Sequence, residues 1–138
     1  MKTLILSLSL LFISGSALAN DWLVVANKRF IVDTVDKAQL KRIYEGKQMK
    51  LYDHLVTPIQ QAPETEAFRV FSQVVLNKRP FLAIQDLMAR FLSGKAAPPR
   101  TFSNDYQVVE WLKGNHNSIG YIKRSSMIDT LKPIFTLK

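Results

Sequence analysis

The 138-residue chain has no cysteine, two histidines and five glycines. Without thiols there are no disulfide staples, no thiolate nucleophile and no Cys-based zinc site. His54 and His116 each stand in a polar stretch with no second ligand at metal-binding spacing. The glycines form no phosphate-cradling loop, and Ser125-Ser126 lacks the glycine-flanked elbow of a serine hydrolase. Glu64 and Glu66, two apart on a helix, point to different faces and make no carboxylate dyad. No enzyme, cofactor or metal site is therefore expected. Acid is also scarce: 11 Asp and Glu stand against 19 Lys and Arg, a formal net charge of +8. The cations are scattered without a run of five, the pattern of a soluble basic surface rather than of a nucleic-acid tract.

What is present begins with a leader. Met1-Lys2 is a basic start, Leu4 to Ile13 is apolar, and Ala17-Leu18-Ala19 is an A-x-A cleavage site. These features predict a signal peptide over residues 1–19 and one domain over residues 20–138. The apolar run, about ten residues, falls short of the roughly 20 that span a bilayer. No cysteine follows the cleavage site to carry a lipid anchor. An exported chain without cysteines is expected in the periplasm. There its basic charge points to anionic lipid, lipopolysaccharide or an acidic protein partner, and nucleic acid is excluded as a partner by the export signal.

Trp22 to Ala26 is a continuous apolar run and predicts a buried first strand. Thr34 is the expected cap of a helix whose stripe is Leu40, Ile43 and Tyr44 and whose stop is Gly46. A second strand, Leu55 to Gln60, runs through Pro63 into a helix over Glu64 to Leu76, with Ala67, Phe68, Phe71, Val74 and Val75 on one face. After Pro80 the residues Phe81, Ile84, Leu87, Met88, Phe91 and Leu92 recur at helical spacing and predict a buried face ending at Gly94. The proline-rich Gly94 to Arg100 reads as a connector. Ser103-Asn104-Asp105 opens a further helix to Gly114, Ser118 to Ile122 is a strand in which Gly120 marks a close approach, and a helical turn and a last strand near Ile134 to Leu137 complete the pattern.

Three segments resemble one family. Leu40-Lys41-Arg42-Ile43-Tyr44-Glu45-Gly46-Lys47 is similar to an "L-x-x-I-F-x-G-K" segment of the phosphate-type periplasmic substrate-binding proteins of ABC transporters. Gly94-Lys95-Ala96-Ala97-Pro98-Pro99 resembles the "G-K-G-x-P-P" of their short, single-lobe relatives. Ser103 to Ile122, with Val108-Val109-Glu110-Trp111 and Ser118-Ile119-Gly120-Tyr121-Ile122, resembles the "S-D-x-E-V-I-x-x-V … G-A-I-G-Y-V" ending. The resemblance implies an α/β fold, one lobe of a type II periplasmic-binding protein with a small mixed sheet flanked by helices. It also implies a solute-binding role toward phosphate or another oxyanion, with a homodimer, transporter or envelope protein supplying the second wall.

The departures fall on the ligand-holding part. The family's Gly-Ser-Gly-Thr turn corresponds to Ala62-Pro63-Glu64-Thr65, where only Thr65 keeps a hydroxyl, and the Trp that follows "G-K" is replaced near Leu51-Tyr52. Glu64 and Glu66 complement the positive helix end and repel an anion, and Pro63 removes a donor. Asn27 and Lys28 at the end of the first strand, with Thr65 and Arg69, are the candidate ligand contacts; Arg69 can equally pair with Glu66. The alternative is an adaptor that has lost its ligand and docks on an envelope protein or an anionic surface.

Overall fold

The computed structural model describes residues 21–95 and 97–138. The expected signal peptide lies outside the described residues. In chain order the elements are β1 (Trp22–Asn27), α1 (Lys37–Tyr44), β2 (Lys50–Leu51), β3 (His54–Leu55), β4 (Thr57–Gln61), α2 (Glu66–Phe71), α3 (Pro80–Leu92), β5 (Arg100–Phe102), α4 (Asp105–Gly114), β6 (Ser118–Lys123) and β7 (Leu131–Thr136). A five-stranded sheet has the order β5-β4-β6-β1-β7. β4 runs parallel to β5 and β6, whereas β1 is antiparallel to both of its neighbours, β6 and β7.

β1 is buried along its whole length, as its unbroken apolar run predicts, because both faces of the sheet are covered. Its side chains alternate between two cores. Trp22, Val24 and Ala26 join α1 and α2 through Leu40, Ile43, Tyr44, Ala67 and Phe71, and Leu23 and Val25 join α4 through Val108, Val109 and Leu112. Gly120 of β6 lies between the layers. A Cβ there would stand 2.9 Å from Val108 Cγ1 and 3.0 Å from Ile59 Cγ1, so the glycine is a packing requirement of α4 against the sheet.

The cap of α1 is Asp36 rather than Thr34: its carboxylate accepts from Gln39 N–H while the Gln39 side chain accepts from Asp36 N–H, a reciprocal box that a lone threonine upstream cannot form. Gly46 takes the left-handed turn that ends this helix, φ 73°. The expected second strand is divided. β2 and β3 form a hairpin whose two-residue turn, Tyr52-Asp53, has φ of 46° and 64°, and β4 starts only at Thr57. The helix after β4 also begins later, at Glu66 behind an N-cap Thr65, and Pro63 lies in the turn before it. From Ser72 to Leu76 the backbone widens into a π-helical turn that closes at left-handed Asn77. Just before this turn, the ring of Phe71 lies 4.3 Å from that of Tyr121 and 4.4 Å from that of Tyr44.

α3 departs most from expectation. Its Phe, Met and Leu residues do not form core: Ala83 is its one buried residue, Ile84 and Leu87 are half-buried, and Phe81 and Leu92 are 68% and 77% exposed. The sheet face nearest to it is already covered by α1 and α2, so α3 rests on the π-helical turn and on α1 through a few inward residues.

Candidate functional site

The junction between β4 and α2 is the place to which the sequence directs an anion. Thr65 does cap α2, but its hydroxyl is used in both directions: Oγ1 accepts from Phe68 N–H at 3.1 Å and donates to the Ala62 carbonyl at 2.7 Å. Arg69 pairs with Glu66 at 3.2 Å and reaches Gln73 at 3.4 Å. Both charges stand in solvent, where such a pair contributes little to stability, yet the guanidinium is turned along its own helix.

Beside this junction lies a polar node that sequence reasoning missed. Gln61, buried at the end of β4, donates from Nε2 to Asp105 Oδ1 at 2.6 Å and to the Tyr121 carbonyl at 2.9 Å. The other Asp105 oxygen accepts from Lys123 N–H at 3.0 Å and from the Ser126 hydroxyl at 2.7 Å. Asp105 is also the first residue of α4 behind the Asn104 cap, so it complements that helix's positive end. A side-chain amide, a hydroxyl and a backbone N–H are donors of the kind an oxyanion uses. Here one internal carboxylate takes them up. The available sequence signal was Gln60-Gln61 closing a strand ahead of Asn104-Asp105, but only tertiary pairing brings those segments together.

The four candidate contacts do not converge. β1 runs opposite to β4 and β6, so its carboxyl end meets their amino ends: Ala26 pairs with Ile119, and Thr57 with Ser118. Asn27 and Lys28 are therefore at the far end of the sheet from Thr65 and Arg69, separated by roughly 15–20 Å of strand. Asn27 is buried there and ties β1 to the end of α4, donating to the Leu112 carbonyl at 3.1 Å and the Lys113 carbonyl at 3.3 Å while accepting from Arg29 N–H. Lys28 is exposed. Among the described residues no group of three or more His, Cys, Asp or Glu is placed to hold a metal ion.

The second distinctive region is α3. Its two charged residues lie off its outer side and are paired: half-exposed Asp86 with Lys78, and Arg90, turned inward, with Glu45. Arg90 makes two bonds to Glu45, 2.9 Å to the carboxylate and 3.1 Å to the backbone carbonyl, and the buried carboxylate also meets Lys47 at 3.2 Å. These bonds fasten α3 to the end of α1. They leave an outer face of Phe81, Met88, Phe91 and Leu92 without a charge and, among the described residues, without a covering element. Below the helix lies a cavity of about 30 Å³ between Phe68, Phe71, Leu87 and Arg90.

The buried phenols of Tyr44 and Tyr121 complete the interior of this half. Tyr44 donates to the Ile59 carbonyl at 2.9 Å, and Tyr121 accepts from Gln61 N–H at 3.1 Å. Burial pushes both well above the ordinary tyrosine range; the Tyr121 charge raises Tyr44 further, and the Gln61 N–H tempers Tyr121. They are structural hydrogen-bonding groups, held neutral at physiological pH.

In sheet order and helix placement the chain has the fold of one lobe of periplasmic substrate-binding proteins. A protein described as a phosphate ABC transporter substrate-binding protein, from Clostridium perfringens with bound phosphate, superposes with TM-score 0.68 at 18% identity, over 83% of this chain and 44% of that one. An ABC-type phosphate transport receptor from Vibrio cholerae gives 0.65 at 14% identity, over 83% and 45%. PstS from Borrelia burgdorferi gives 0.61 at 15%, over 83% and 46%. The chain thus spans under half the length of these structures. No protein-family profile and no curated protein matches it.

Proposed function

We propose that the protein is a non-catalytic binding component of the periplasm, exported by residues 1–19, in which a substrate-binding lobe has become a docking module. The observation that carries this reading is the uncovered apolar face of α3, beside a junction whose polar groups are already engaged with one another. Contiguous exposed apolar surface marks an interaction site. The test is fractionation of cells producing the chain: it should sediment with the envelope and leave it when Phe81→Glu and Leu92→Glu are combined. Wild-type protein found wholly in the soluble fraction, or a double variant that sediments unchanged, would sink the idea.

A second reading, capture of a phosphate-type oxyanion, is favoured by the likeness to a lobe solved with phosphate and by the net charge of +8. It assigns contacts to Thr65 and Arg69 at one end of the sheet, or to Asn27 and Lys28 at the other, with a homodimer or a partner protein closing the site. Titration calorimetry with phosphate decides it: heat that saturates in the millimolar range or below supports it, and flat traces remove it. Under this reading, Glu64→Ser with Glu66→Gln raises affinity by lifting the repulsion at the junction.

A further inference from the structure

We infer that the surface α3 docks on is an anionic phospholipid bilayer, with the helix lying along the headgroup boundary and its outer face inserted. This rests on the docking reading above and names its partner.

Thirteen residues make α3 about 20 Å long. Phe81, Met88, Phe91 and Leu92 fall at i, i+7, i+10 and i+11, one stripe along its outer side, with half-buried Ile84 at its edge and uncharged Gln85 as its single exposed polar residue. The charged residues of the helix, Asp86 and Arg90, are both turned away and held by Lys78 and Glu45. A bilayer interior can take such a stripe without having to neutralise anything.

Charge at the two ends selects the kind of partner. Arg79 precedes the helix and Lys95 follows it; both are exposed, and neither pairs with an acid among the described residues. A second copy is a poor occupant for this reason. Packed antiparallel, α3 sets Arg79 of one copy against Lys95 of the other, and packed parallel it sets each cation against itself. A surface that is negative at both ends and apolar between them fits, and an anionic lipid leaflet has that profile. The hairpin β2–β3 adds to it. Its Met49 and Tyr52 are exposed, and Met49 lines the same cleft as Gly94 and Lys95 at the end of α3. Exposed apolar side chains on two neighbouring elements suit a fluid surface, which conforms to both, and Tyr is a residue of membrane interfaces.

The experiment is co-sedimentation of the purified chain with vesicles of phosphatidylcholine, alone or with about a third phosphatidylglycerol, at low and high salt. Binding to the mixed vesicles should exceed that to phosphatidylcholine by roughly five- to ten-fold and should fall as salt screens the end charges. Phe81→Glu with Leu92→Glu should lose about ten-fold or more on mixed vesicles. Arg79→Glu with Lys95→Glu should lose the lipid preference while leaving the weak phosphatidylcholine binding in place. All substituted side chains are exposed, and circular dichroism should report an unchanged fold.

Wild-type protein that ignores both vesicle types overturns the proposal, as does equal, salt-independent binding to both. If Phe81→Glu with Leu92→Glu binds like wild type, another segment, the apolar leader included, holds the lipid and the proposal fails. A dimer in sedimentation velocity that dissolves on the same substitutions makes the face a self-association surface and also overturns it. Should vesicles fail while α3-dependent sedimentation with the envelope persists, the partner is a protein and the docking reading stands. Loss of both removes the docking reading as well.

Discussion

Helices α2 and α3 follow one another in the chain, carry the same apolar periodicity and have opposite fates. Phe68 and Phe71 of α2 are core, whereas Phe81 and Phe91 of α3 are surface. Composition does not separate them. α2 reaches an open sheet face and fills it, together with α1, from the side of Tyr121; α3 arrives when that face is occupied. Helical periodicity therefore reports that a face has a partner, and leaves open whether the partner is in the same chain. The contrast extends to polar groups. At the start of α2 the Thr65 hydroxyl is satisfied internally, while α3 has satisfied its charges and left its apolar atoms facing water.

Truncating one aromatic on each helix separates their two fates most directly. Phe71→Ala should cost about 3–5 kcal/mol, the price of an aromatic-sized void in a packed core. Phe81→Ala should stay within about 0.5 kcal/mol, as surface changes do. Urea denaturation of the two variants checks this; a Phe81→Ala loss above about 1 kcal/mol would mean that α3 is packed after all.

Alkaline titration comes next, because it acts on the α2 side alone. The Tyr44 and Tyr121 phenols are raised by burial, so the unfolded chain ionises them first. Their contribution is complete below about pH 10 and is lost as pH rises from there toward the folded values. At pH 11 the loss is roughly 1–1.5 kcal/mol for each phenol. Part of the tyrosinate absorbance should then appear only as near-ultraviolet circular dichroism disappears.

Arg90→Ala removes the two hydrogen bonds to Glu45 that fasten α3, and should cost about 2 kcal/mol. Amide exchange should rise throughout α3 while α2 stays protected. Uniform loss of protection in both helices would show that they form one cooperative unit. The smallest effect is expected between them, at Ser72. Its hydroxyl is fully buried and has no hydrogen-bond partner among the described residues. Ser72→Ala should be neutral or stabilising by up to about 1 kcal/mol, readable as a small rise in Tm.

Local signals made much of the fold legible. The apolar run of β1, the stripe and glycine stop of α1, the Asn104 start of α4 and the Gly120 strand all lie within a few residues of the features that specify them. β5 left no such trace, since Arg100 to Phe102 is a three-residue strand defined by its pairing with β4. The hairpin was hidden by a turn of Tyr52-Asp53 where glycine or asparagine is usual. For the site, the Arg69–Glu66 pair could be read from helical spacing, whereas the sequence sets Thr65 inside a helix from Glu64 and the structure makes it the cap. The separation of Asn27 from Thr65 could not, because strand direction within a sheet is a tertiary property, and Asp105 as internal anion depends on three segments meeting.

The sheet's two borders have a consequence for handling the protein. One is β5, entered through Pro98-Pro99 and only three residues long; the other is β7, interrupted by Pro133 opposite Val25. Neither offers the run of free N–H groups on which another strand could grow. Cross-β fibrils templated from the native sheet are thereby discouraged. Turbidity in concentrated, salt-free solution would trace to the greasy flank of one helix, and mild detergent rather than denaturant should clear it.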